Sequence, residues 1–247
     1  MSVDILAEQA ALGVIVDDAI EKVMPILGAV GSTENWLIRD ALIEMIMIVS
    51  QTHGAAATGV YAQMFDKIRR NAGITGDYDL KIAEAVDIDL VTAKVKWASG
   101  ELWGKKQVKI VDGVEEVTHT PVRMDVLQSN LEAITTDLVH RQGRNTIADA
   151  ASDKKSKMIG FARILGIGEN CDWCLMLSSR GPVYRSRDTA AAGYHDNCRC
   201  TPTPFFRNTT IDGYDRKKLY EQYLETQRRK EEAAQARKAA KYEKYNQ

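Results

Sequence analysis

Apolar residues in the first third of the chain recur at spacings of three and four. From Val3 to about Leu27, the set Ile5, Leu6, Leu12, Ile15, Val16, Ala19, Ile20 and Val23 falls on one face of a helix, which Pro25, Gly28 and Gly31 close. Ser32 and Thr33 offer an N-cap for a second, more buried helix carrying Trp36, Ile38, Leu42, Met45, Ile46 and Val49. That helix is expected to continue through "GVYAQMFDKIRRNAG". Arg69 and Arg70 suit the negative end of its dipole, and Gly73 supplies the stop. "AGITGDYDL" reads as a loop and "DIDLVTAKVKWASGELWG" as a further helix.

The period then changes. "QVKIVDGVEEVTHT" alternates apolar and polar residues about Asp112-Gly113, a pair suited to the two-residue turn of a β-hairpin. Pro121 opens a long helical pattern with Met124, Leu127, Leu131, Ile134, Leu138 and Ile147 near one face, and Gly143 marks a candidate break in it. "MIGFARILGIG" and "PVYRS" read as short strands, and "TPTPFF" as extended chain because each proline turns its predecessor away from the helix. From about Asp215 the chain consists of helix formers with charges on most faces.

Composition narrows the function classes. The 247 residues can bury a substantial core, and 33 Lys and Arg against 34 Asp and Glu leave no general field toward nucleic acid or anionic lipid. Any such attraction is local: from Thr201 onward, eleven Lys and Arg stand against seven Asp and Glu. The start of the chain carries Asp4, Glu8, Asp17 and Asp18 without the basic lead of a secretory signal, and "ALIEMIMIV" is too short to span a membrane. A soluble protein of a reducing cytosol, with no membrane partner, is expected.

All four cysteines lie between positions 171 and 200. Cys171 and Cys174 form C-x-x-C, a spacing that lets one turn aim two thiolates at a point. His195, Cys198 and Cys200 form H-x-x-C-x-C about twenty residues later. These five soft donors exceed the four positions of a tetrahedral ion, and spacing does not choose between His195 and Cys200 as the fourth ligand. Zn²⁺ suits the set, because thiolate and imidazole are its preferred ligands and binding would order a loop-rich segment. Two disulfides or unrelated buried thiols are the alternatives. A catalytic zinc would need an open position and a nearby acid or base. Asp172 and Asp196 are close in sequence, yet no H-E-x-x-H or H-x-E pattern accompanies them, which favours a structural site.

Other candidates carry less. Ser178 and Ser179 precede Arg180-Gly181 without a G-x-S-x-G elbow and read as a turn. His53 and His140 read as packed or solvated helix residues, His119 carries no signal, and Arg141, Arg144 and Asn145 read as an ion-pair or capping cluster.

The run "RNTIADAASDKKSKMIGFARILGIGENCDWCLMLSSRGPVYRS…AGYHDNCRCTPTPFF" resembles the MuF-type minor capsid, or head morphogenesis, proteins of tailed bacteriophages, especially the form found in phages of actinobacteria. The likeness covers roughly residues 140–206, and its specific part is H-x-x-C-R-C with an upstream C-x-x-C. The family's pattern falls on Cys171, Cys174, His195, Cys198 and Cys200, all present here. The resemblance implies a virion protein inside the head near the portal, present in few copies and acting in head assembly or DNA delivery. Its expected partners are the portal protein, the major capsid or scaffolding protein, and packaged DNA. Exposed Arg180, Arg185, Arg187 and Arg199 would meet an acidic portal surface or DNA. Two alternatives stand beside this reading. Relatives are often labelled capsid maturation proteases, although no nucleophile and base pair is identifiable here. The basic tail also admits a DNA-contacting protein ejected with the genome.

The expected fold is α+β and mostly α-helical. A helical region, 1–120, carries a hairpin near 107–119; a core with the Cys/His cluster occupies 121–206; a charged helical tail occupies 207–247.

Overall fold

The 3.6-residue apolar repeat near the N-terminus folds as α1 (Leu6–Val23), followed by a 3-10 turn over Met24–Ala29. Leu12, Val16, Ala19 and Val23 form its buried stripe. The computed structural model describes residues 2–111, 114–168, 170–191 and 198–245.

A single uninterrupted helix, α2 (Asn35–Asn71), carries the second pattern to its cationic end at Arg69 and Arg70. It begins later than the Ser32–Thr33 cap predicts: Glu34 holds the N-cap position, and the Ser32 hydroxyl instead donates to the Ala29 carbonyl at 3.0 Å. The expected loop over "AGITGDYDL" is irregular chain that continues beyond it, where Gln142 Nε2 of the later long helix donates to the Ala83 carbonyl at 2.9 Å. α3 (Ile88–Ala98) starts at Asp87, whose carboxylate accepts from Leu90 N–H at 2.7 Å.

β1 (Lys106–Val111) and β2 (Val114–His119) form the expected antiparallel hairpin, with Val108 opposite Val117 and Lys109 opposite Glu116; the Asp112-Gly113 turn lies outside the described residues. α4 (Met124–Ser152) then runs through the centre of the molecule. The expected stripe of Leu127, Leu131, Ile134, Leu138 and Ile147 is buried, and because every residue from Ala133 to His140 is buried as well, this helix is wrapped on most sides rather than on one.

Gly143 does not break α4. The Tyr61 ring of α2 packs directly on it, and a Cβ there would stand 2.0 Å from that ring. The absent side chain lets the two longest helices of the core approach.

β3 (Gly160–Ile164) pairs antiparallel with β4 (Thr201–Phe205), Ile164 opposite Thr201 and Gly160 opposite Phe205. Pro202 and Pro204 oppose Arg163 and Phe161, and Phe161 N–H is free to bond the Tyr184 carbonyl at 2.8 Å on the other side. The expected strand at "PVYRS" is thus reduced to one bridge between Tyr184 and Phe161. Between β3 and β4 lie α5 (Asp172–Ser179) and the short α6 (Arg187–Ala191).

α7 (Arg216–Tyr245) completes the chain. Just before it, Val3 N–H donates to the Thr210 carbonyl at 2.8 Å and Asp212 N–H to the Val3 carbonyl at 2.9 Å, so the N-terminus is stitched to the segment after β4. One apolar core draws on residues from Val3 to Ile211. The chain is a mostly helical α+β protein that shows, among the described residues, two small two-stranded sheets and a long C-terminal helix. Among the described residues, no helix is long and apolar enough to cross a membrane.

Candidate metal centre

The pairing of β3 with β4 brings the two cysteine motifs together. Ile164 at the end of β3 faces Thr201 at the start of β4, so the chain leaving one strand and the chain entering the other share one end of the sheet. Cys174 comes from the first turn of α5 on the leaving side. Cys198 and Cys200 stand immediately before β4 on the entering side.

The sulfurs of Cys174, Cys198 and Cys200 lie within 4.8 Å of one another, and all three side chains are buried. Cys174 Sγ and Cys198 Sγ are 3.7 Å apart, too far for a disulfide, and all four cysteines are free thiols. A tetrahedral ion bound at about 2.3 Å sets neighbouring sulfurs about 3.8 Å apart. The three thiols therefore fit a metal ion.

Cys171 occupies a different position. It is exposed and forms the N-cap of α5, its sulfur accepting from Cys174 N–H at 3.4 Å. The turn expected at C-x-x-C is thus the start of a helix, with its two thiols one on the cap and one inside. His195 lies outside the described residues.

Two buried arginines complete the centre. Arg163 on β3 is 1% exposed and donates from Nη2 to Cys198 Sγ at 3.1 Å. Arg144 on α4 donates from Nη2 to the carbonyls of Cys198 and, at 3.3 Å, Cys200. Arg144 is in turn held by Asp137, a buried carboxylate that also meets Lys94 at 3.0 Å and Arg141 at 3.2 Å. The expected ion-pair cluster around Arg141 and Arg144 is present, and it extends to the knuckle backbone.

These charges divide the thiols. Hydrogen bonding from Cys174 and Cys200, with the Arg144 and Arg163 guanidiniums adding to it, pulls Cys198 well below the usual thiol range. Cys174 is pushed up by its hydrogen bonds to Cys198 and Cys200 and by burial. A hydrogen bond with Cys174 pulls Cys200 down, but its bond to Cys198, burial and the Cys198 charge outweigh this and set it at about 12. The direction of these shifts makes Cys198, beside Arg163, the thiol of the cluster that loses its proton most readily. With three thiolates around a divalent ion the net charge would be −1, which the same guanidinium offsets.

Among the described residues of the neighbourhood, the hydroxyl groups are engaged with backbone carbonyls and form no catalytic pair. Ser178 donates its hydroxyl to the Arg163 carbonyl, and Ser179 donates to the Met176 carbonyl at 2.8 Å. A cleft of about 260 Å³ beside the knuckle is lined by Leu12, Val16, His140, Gly166 and Arg199 among others. Its polar groups are engaged elsewhere: His140 Nδ1 with Tyr61 Oη at 3.0 Å, and Arg199 with Asp17 at 3.0 Å. Thr52, His53 and Asp18 form a line that superficially resembles a triad, with 2.9 Å from Thr52 Oγ1 to Nδ1 and 2.7 Å from Nε2 to the carboxylate. Thr52, however, donates its proton to the Ile48 carbonyl at 2.9 Å, so the line clamps α1 to α2.

Sequence reasoning did not place Arg163 in the centre. The signal was present, since an arginine inside the apolar run "MIGFARILGIG" requires a buried partner.

Fold and site define a mostly helical α+β protein organised around a buried three-thiol cluster able to hold a metal ion. The chain belongs to the VG15 protein family, whose model matches residues 2–226, and this membership suggests a phage-encoded protein. No curated protein and no solved structure matches the chain.

Proposed function

We propose that the chain is a minor capsid protein of a tailed phage, associated with the portal on the inner side of the head and acting in head morphogenesis, and that its thiol cluster is a structural zinc site. One observation carries the reading: the two halves of the cysteine motif, separated by more than twenty residues, converge on one buried point. Membership in the VG15 family and the likeness of residues 140–206 to MuF-type proteins supply the biological setting.

Cys174, Cys198 and Cys200 hold the ion in this reading, and Cys171 or His195 provides the fourth ligand. The metal supplies a cross-link between α5 and β4 that ties down the chain between them. The tied-down surface carries exposed Arg180 and Arg185, while Arg187 and Arg199 are engaged with Asp149 and Asp17. Arg180 and Arg185, which form no ion pair among the described residues, are therefore the arginines of this group that would meet an acidic portal surface. The role is non-enzymatic, and the purified chain is expected to leave a major capsid precursor uncut.

The test is the zinc content of the purified protein beside a Cys174→Ser/Cys198→Ser variant, with portal capture measured on both. One zinc per chain, lost in the variant together with portal capture, is expected. A parent chain without metal would overturn the zinc site, and unchanged capture by a metal-free variant would overturn its role in portal binding.

A further inference from the structure

The β1–β2 hairpin has no internal reason to be where it is. Every residue of 106–110 and 114–119 is exposed, including Val108, Ile110, Val114 and Val117, and among the described residues neither strand has a neighbour on its outer edge. A lone two-stranded hairpin in water is marginal, and open edges are templates for another strand.

The charges on the two edges differ in sign. β1, "KQVKIV", carries Lys106 and Lys109 and no carboxylate; β2, "VEEVTH", carries Glu115 and Glu116 and no lysine or arginine. Symmetric pairing of β1 with β1, or β2 with β2, sets like charges together. Pairing β2 of one chain with β1 of another sets opposite charges together and keeps the strands antiparallel.

The backbone register permits this pairing. Thr120 N–H bonds the Lys105 carbonyl at 3.0 Å, so by antiparallel alternation Lys106, Val108 and Ile110 turn their amides outward, as do Glu115, Val117 and His119 across from them. The two outward sets are complementary in the register the hairpin already uses: Glu115 meets Ile110, Val117 meets Val108, and His119 meets Lys106 of the next copy. Glu116 then falls beside the next Lys109 at a close, non-hydrogen-bonded position. One face would continue the Val108–Val117 row, and the other would alternate lysine and glutamate from copy to copy.

We propose that this hairpin joins copies of the chain head to tail, the β2 edge of one pairing with the β1 edge of the next. Because the contact uses two different edges, it closes into a ring if the rotation per copy allows and otherwise continues as a filament. The hairpin root adds apolar area for the neighbour to cover: Trp103, three residues before β1, and Trp36 are both exposed and line one hollow. The inference does not depend on the metal or on the portal.

Sedimentation velocity of the full-length chain over a concentration series tests it, using two hairpin variants. Lys106→Glu/Lys109→Glu makes both edges acidic, and Glu115→Lys/Glu116→Lys makes both basic. The parent is expected to form species larger than a monomer, each variant alone to associate at least ten-fold more weakly, and the equimolar mixture to recover assembly. Recovery in the mixture also shows that each variant hairpin is formed. A parent that stays monomeric, variants that assemble like the parent, or a mixture that stays monomeric would each overturn the proposal. So would loss of portal capture in the variants of a monomeric parent, which would assign the hairpin to a different partner.

Discussion

Arg163 Nη2 lies 3.1 Å from Cys198 Sγ, with both side chains closed off from solvent. The guanidinium and the Cys198 sulfur offset one another there, with Arg144 and the hydrogen bonds from Cys174 and Cys200 also favouring the thiolate. Arg163→Met breaks this buried pair and is expected to lower stability by about 3–5 kcal/mol. Arg163→Lys recovers part of this, since its ammonium keeps the charge but not the planar geometry. Urea denaturation of the three proteins checks the order.

Cys171 and Cys200 should separate sharply in the metal-free protein. Cys171 caps α5, and serine is a better N-cap than cysteine, so Cys171→Ser is expected to change metal-free stability by no more than about 0.5 kcal/mol. Cys200 is fully buried within the sulfur cluster, and Cys200→Ser is expected to cost roughly 1–3 kcal/mol through its hydroxyl. Thermal melts in excess chelator read the difference, and an equal loss in both variants would contradict the geometry.

Gly143→Ala tests the crossing of α2 and α4. The new methyl group would meet the buried Tyr61 ring at 2.0 Å, so a loss of about 1–3 kcal/mol is expected despite alanine's better helix propensity. Tyr61→Leu should remove most of that penalty in the double variant, and the coupling is read from a double-mutant cycle.

His140 makes stability depend on pH. Burial, with the nearby Arg144 charge, holds its ring well below the ordinary value of 6.5, so the folded chain keeps it neutral where the unfolded chain protonates it. The unfolded state then binds more protons. Stability contributed by the neutral ring is complete above about pH 6.5 and is lost as pH falls toward the folded-state value, with a slope of up to about 1.4 kcal/mol per pH unit. Denaturation midpoints between about pH 7 and pH 5 should show the slope, and His140→Gln should flatten it.

Much of this architecture is legible from periodicity. α1, α2, the hairpin and α7 follow from local spacing and turn residues, because each has one chemically distinct face or a strong local signal. α4 is legible along its stripe of Leu127, Leu131, Ile134, Leu138 and Ile147 but not on its other sides, since Asp137 and Arg144 are buried by ion pairs and hydrogen bonds that only tertiary structure supplies. The sulfur cluster is half legible. Clustering of the cysteines predicts that some converge, but which thiols turn inward depends on the β3–β4 register and on the helix that starts at Asp172. Gly166 shows the same limit: a Cβ there would stand 2.6 Å from the Arg199 carbonyl, a close approach that no local pattern announces.

α7 is fastened near its middle, where Gln227 and Lys230 both reach Asp172 at the start of α5; residues 228–241 are exposed. The fifteen residues beyond Lys230 form an arm of about 22 Å. A tilt of about 10° at Asp172 would carry its far end through about 4 Å. Asp172 directly follows the Cys171 cap and lies two residues before Cys174, so the arm acts as a pointer whose pivot is the sulfur cluster. Small angular changes at that pivot are magnified along the exposed arm toward its tip.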